Sequence, residues 1–68
     1  MSFEKIVLDK VEAILGTDNL ACFVYGSLSV ICTEAEARKI YHKLSKDYNN
    51  KVQVSPDGSY GYIFDFVA

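Results

Sequence analysis

This sequence is poor in the residues by which most activities announce themselves. Its 68 residues include one histidine, two cysteines, one proline and four glycines, and the formal charge is only −2. The lone histidine, His42, has no cysteine or second histidine at metal-ligand spacing, which leaves no zinc site and no nucleophile–base pair to build on. No glycine-rich loop is present to cradle a phosphate. The charge is far from the strongly basic footprint of a dedicated nucleic-acid binder. No apolar run approaches the roughly eighteen residues of a membrane span. The opening Met1-Ser2-Phe3-Glu4-Lys5 carries an acid early and shows no cleavage site, so the chain reads as cytoplasmic. In that setting Cys22 and Cys32 are expected as reduced thiols rather than a staple. The carboxylates have structural duties: Asp57 in a turn, Asp65 in a strand, Glu34 and Glu36 at a helix start. Spacing forces none of them together, so acid–base catalysis has no anchor. A non-enzymatic chain without metal or cofactor is the expectation.

What is present is hydrophobic patterning. Half the residues are hydrophobic and 24% are charged, the balance of one globular domain over residues 1–68. Ser2 can cap a helix whose apolar positions Phe3, Ile6, Val7, Val11, Ile14 and Leu15 form a single stripe. Gly16 ends it, and Thr17-Asp18-Asn19 is turn chemistry. Leu20 to Cys32 is nearly all apolar and rich in strand formers, broken by Gly26-Ser27, which suits a two-residue type II′ turn. Tyr25 then faces Leu28 and Phe23 faces Val30. Thr33 with Glu36 spells a capping box, and the helix that follows buries Ala37, Ile40, Tyr41, Leu44 and Tyr48. Asn49-Asn50 ends it. Lys51–Ser55 alternates as a strand, Pro56-Asp57-Gly58 fits a turn, and 59–67 closes the chain as a second hairpin.

The element order αββαββ predicts an α+β fold in which two helices cover one face of a four-stranded antiparallel or mixed sheet. The expected strand order is 51–55, 59–67, 28–32, 20–25, as in a circularly permuted ferredoxin-like domain. Tyr60, Tyr62, Phe64 and Phe66 fall at alternate positions of the last strand and form one aromatic ridge. With Val54 beside Tyr60 and Val52 beside Tyr62, that ridge is expected to face the helices as the core.

The first hairpin has a second apolar face. Leu20, Cys22, Val24 and Ile31 share it, and exposed apolar area of that kind marks an interface. A homodimer through the open sheet face or the 20–25 edge is therefore expected, because association supplies burial that so short a chain lacks. Arg38, Lys39, His42, Lys43 and Lys46 form a basic stripe on the second helix, suited to docking a protein partner. Together these features predict a small interaction or regulatory module that binds itself and a larger protein. The competing expectation is weak single-stranded nucleic-acid binding. Tyr60-Gly61-Tyr62-Ile63 resembles the aromatic-Gly-aromatic-aliphatic heart of the RNP1 motif. Gly58 stands where that motif has a basic residue, Ser59 where it has its first glycine, and Asp65 where it has its last aromatic.

Overall fold

The computed structural model describes residues 2–58 and 61–67. The elements run α1 (Phe3–Leu15), β1 (Leu20–Val24), β2 (Ser27–Ile31), α2 (Glu34–Asp47), β3 (Val52–Asp57) and β4 (Gly61–Phe66). The four strands form one sheet in the order β1-β2-β4-β3, and every pairing is antiparallel. This is the expected α+β architecture and the expected strand order.

Local chemistry accounts for the helix ends. The Ser2 hydroxyl accepts the Lys5 N–H at 3.2 Å, and Gly16 closes α1 at φ 93° with its own N–H donating to the Glu12 carbonyl. Thr33 and Glu36 form the full capping box at the start of α2, side chain to backbone in both directions, at 3.1 and 2.9 Å. Asn49 and Asn50 leave α2 in the left-handed region, which asparagine tolerates better than most residues.

One side of the sheet and one stripe of each helix make the core. Val7 and Val11 of α1, Ala37, Ile40 and Leu44 of α2, and Leu28, Val30, Val52 and Phe64 of the sheet are buried together. The aromatic ridge is thus on the core side for its described members: Phe64 is fully buried, while Tyr62 and Phe66 are half-buried beside it. Tyr60 lies outside the described residues. At one end of the core Phe3, Phe23, Tyr48 and Phe66 form an aromatic cluster, with Phe3–Phe66 and Phe3–Tyr48 edge-to-face at 5.0 and 5.4 Å between centroids. Ser45, which the sequence pattern does not mark, is buried on α2, and its hydroxyl has no hydrogen-bond partner among the described residues.

Both hairpins depart from the expected register, and both do so by an even number of residues. In the first, Tyr25-Gly26 forms the two-residue turn, with φ 51° and 83°, and Val24 pairs with Ser27. Positive φ at both central positions makes this a type I′ turn, whose twist matches the strands it joins. Tyr25 is thereby expelled from the core side, and Phe23 rather than Tyr25 stands opposite Leu28. In the second hairpin β3 runs on through Pro56 and Asp57, so Val52 pairs with Phe66 and Val54 with Phe64. That register sets both valines beside the deepest aromatics and lengthens the ladder. Proline is tolerated because β3 is an edge strand.

Candidate interaction surface

The helix-free side of the sheet can be read row by row from the registers. Leu20, Ile31, Gly61 and Asp57 form one row; Cys22, Ser29, Ile63 and Ser55 the next; Val24, Ser27, Asp65 and Gln53 the third. The face therefore grades from apolar at β1 to polar at β3. On the polar half the Ser27 hydroxyl donates to the Asp65 carboxylate, so that charge is anchored within the face. On the apolar half Leu20 is 63% exposed, Ile31 48% and Val24 47%, with Cys22 exposed between them. Leu20 and Ile31 are direct cross-strand partners. All four residues expected to form an interface are thus on one surface. A shallow hollow of about 330 Å³ lies among Leu20, Cys22, Ser29 and Ile31.

Tyr25 follows Val24 of this surface directly in the chain, whereas the sequence pattern assigned it to the core side of the hairpin opposite Leu28. It stands at the tip of the β1–β2 turn, fully exposed, in a left-handed conformation that costs a non-glycine residue about 1–2 kcal/mol. Asparagine-glycine would make the same turn more cheaply. The ring contributes no burial to the fold, so its presence at a strained, projecting position suits a contact residue.

Arg38, Lys39, His42, Lys43 and Lys46 are all exposed on α2, with Arg38 and His42 on the flank toward β3. Among the described residues two of the five are paired: Arg38 with Glu34 at 2.8 Å and Lys43 with Asp47 at 3.3 Å. Asp47 also takes Lys10 from α1 at 2.7 Å, tying the helices together. The Lys10 hydrogen bond, with Lys43 behind it, holds the Asp47 carboxyl below the usual carboxylate range, and Lys10 is correspondingly raised. The stripe is therefore partly neutralised. It also lies across the helix layer from the apolar sheet face, so one flat partner cannot cover both.

Between α2 and β3 the core side is incompletely closed. Val54 is 40% exposed there, in a cleft of about 220 Å³ with Tyr41 and Tyr62 and with Arg38 and His42 at its rim. That volume is below the ~300 Å³ from which small-molecule sites usually start.

The RNP1-like strand is oriented away from that motif's use. Tyr62 points to the helices with Phe64 and Phe66, whereas base stacking needs rings on an uncovered sheet surface. Tyr60 again lies outside the described residues. Cys22 and Cys32 are both free thiols on opposite sides of the sheet, and burial, with the Glu36 carboxylate near, raises the Cys32 thiol. Among the described residues no group of three or more His, Cys, Asp or Glu side chains could hold a metal ion, and no helix is long and apolar enough to cross a membrane. Compared with known protein families, curated proteins and solved structures, the chain matches none.

Proposed function

We propose that this chain is a small, non-enzymatic interaction module of the cytoplasm, homodimeric, that binds and modulates a larger protein or complex. The observation that carries the reading is the apolar half of the helix-free sheet face. Leu20, Cys22, Val24 and Ile31 stand exposed and adjacent there, on a fold that already has a separate core on the other side of the sheet. A cluster of aliphatic side chains with no role in the core is the kind of surface that proteins cover with other proteins. The basic side of α2 offers a second, electrostatic contact for an acidic partner, with Lys39, His42 and Lys46 available beside the paired Arg38 and Lys43. The inward orientation of Tyr62 favours this reading over single-stranded nucleic-acid binding.

The test is sedimentation equilibrium of the wild-type chain against a Leu20→Lys, Val24→Lys double variant. Self-association of the wild type, abolished in the variant while circular dichroism is unchanged, is the expected result. A wild-type chain that stays monomeric at high micromolar concentration refutes the homodimer. Reversing Lys39 and Lys43 to Glu separately tests the basic contact. Undiminished binding to a synthetic acidic peptide would remove that side of α2 from the proposal.

A further inference from the structure

The outer edge of β1 carries an inference that rests on this reading and gives it a geometry. A strand edge with unpaired N–H and C=O groups is a template for another strand, and folded proteins blunt such edges with proline, charge or a bulge. The two edges of this sheet differ in that respect. The Val67 N–H donates to the Lys51 carbonyl at 2.8 Å. Alternation along the ladder then turns the backbone groups of Gln53, Ser55 and Asp57 inward to β4 and those of Val52, Val54 and Pro56 outward. Pro56 has no N–H to offer, so the β3 edge is interrupted.

The same alternation, carried through β4 and β2, leaves Leu20, Cys22 and Val24 bonded to β2. Ala21 and Phe23 then aim their backbone groups away from β2, past the edge of the sheet. The Tyr25-Gly26 turn leads independently to the same assignment, because the pair that closes a two-residue turn, here Val24 and Ser27, is a hydrogen-bonded pair. Nothing blunts this edge: Leu20 to Cys32 contains neither proline nor a charged residue.

We propose that β1 pairs antiparallel with β1 of a second copy of this chain, about a two-fold axis at Cys22, joining the two sheets into one. The pairing sets Ala21 against Phe23 of the second copy and Phe23 against its Ala21, which satisfies the outward groups of both strands. A register shifted one way would call on the Asn19 N–H, which already donates to the Gly16 carbonyl. Shifted the other way it would call on Tyr25, which has left the strand conformation at φ 51°. A two-fold contact must be complementary to itself, and this strand is. On the helix side the large Phe23 falls beside the small Ala21, and on the open side Leu20 falls beside Val24. Each Tyr25 projects over the far end of the opposite β1, at Asn19. The edge alone buries less than the ~800 Å² per partner of a standard interface, so association on the order of micromolar is expected. The joined sheet brings the two apolar half-faces together as one central band, twice the width available for a larger partner.

Two perturbations read this geometry. Ala21→Pro removes an N–H that the fold does not use but the pairing does, and it is expected to weaken self-association at least tenfold with circular dichroism unchanged. Cys22 is the second probe, and it needs no variant that could unfold. On the two-fold axis it meets its own copy in a non-hydrogen-bonded pair with Cα atoms about 4.5 Å apart, within disulfide reach. Packing of two sheets face to face would hold the same atoms about 10 Å apart. Diamide, which takes the two electrons and two protons released by a pair of thiols, is expected to give a covalent dimer in the wild type and in Cys32→Ser. In Cys22→Ser it should give none. A dimer that survives Ala21→Pro and does not cross-link at Cys22 overturns the edge pairing while leaving self-association intact. A monomer at high micromolar concentration, with no cross-link, overturns both.

Discussion

Phe64 and Ile63 are chain neighbours on opposite sides of β4, and their relative cost on truncation reports which side of the sheet is the core. A domain of 68 residues has a total stability of roughly 3–10 kcal/mol at ~0.05–0.15 kcal/mol per residue. Phe64 is fully buried at the centre of the core cluster, and Phe→Ala at such a site costs about 3–5 kcal/mol, enough to unfold much of the population. Phe64→Leu keeps an apolar side chain and leaves a smaller void, for about 1–2 kcal/mol. With a urea slope near 1 kcal/mol per molar for so small a chain, the midpoint should fall by about 1–2 M. Ile63 sits half-buried on the helix-free face, and Ile63→Ala should cost less than about 1 kcal/mol. The assay is urea unfolding followed by far-ultraviolet circular dichroism at one fixed protein concentration, since dimerisation couples to stability. If Ile63→Ala costs as much as Phe64→Leu, the assignment of faces is wrong and the ridge is not the core.

Tyr25→Asn should stabilise the monomer by about 1 kcal/mol, because asparagine accepts the left-handed turn position that tyrosine occupies under strain. Destabilisation in the same urea assay would show that the ring supports the fold. Thr33→Ala should cost about 1 kcal/mol through loss of the capping box, and Thr33→Ser should restore most of it. Equal unfolding midpoints for Thr33→Ala and the wild type would remove the cap from the account. Asp47→Asn should be less stable than the wild type near neutral pH, with a difference that closes on acidification. The folded carboxyl titrates below its unfolded range, so its contribution is complete above that range and is lost as pH falls through the folded value. The raised Lys10 gives the mirror effect, lost as pH rises through its folded value. A difference between the two chains that does not change between neutral and acid pH would contradict the Lys10–Asp47 link.

Element types, their order and the allocation of most residues to faces, Tyr25 and Ser45 excepted, were legible in the sequence, because they depend on periodicity. A stripe at three- and four-residue spacing stays on one side of a helix, and alternate residues stay on one side of a strand whatever they pair with. This is why Phe64 was assigned to the core, and Leu20, Cys22, Val24 and Ile31 to a common surface, without knowledge of the turns. The caps at Ser2 and at Thr33 with Glu36 were legible for a similar reason: each is satisfied within one turn of chain.

Registers were decided by the tertiary structure. The Gly26-Ser27 and Tyr25-Gly26 turns are both locally feasible, and they differ by a slip that keeps the remaining strand residues on their own sides while moving Tyr25 out of the strand and Ser27 into it. The folded sheet adopts the one that brings Ser27 into β2 opposite Val24, where its hydroxyl reaches Asp65. Pro56 likewise reads as a turn residue until β3 is known to be an edge, where a missing N–H costs no ladder bond. A face assignment survives a slip of two or four residues, whereas a turn, an edge and an exposed tip do not. So the sequence by itself determined which side chains form the core and which form the apolar surface. The projection of Tyr25, and the contrast between an open β1 edge and an interrupted β3 edge, came only from the packed sheet. Both depend on which backbone groups find partners, and that is settled only when all four strands are in place.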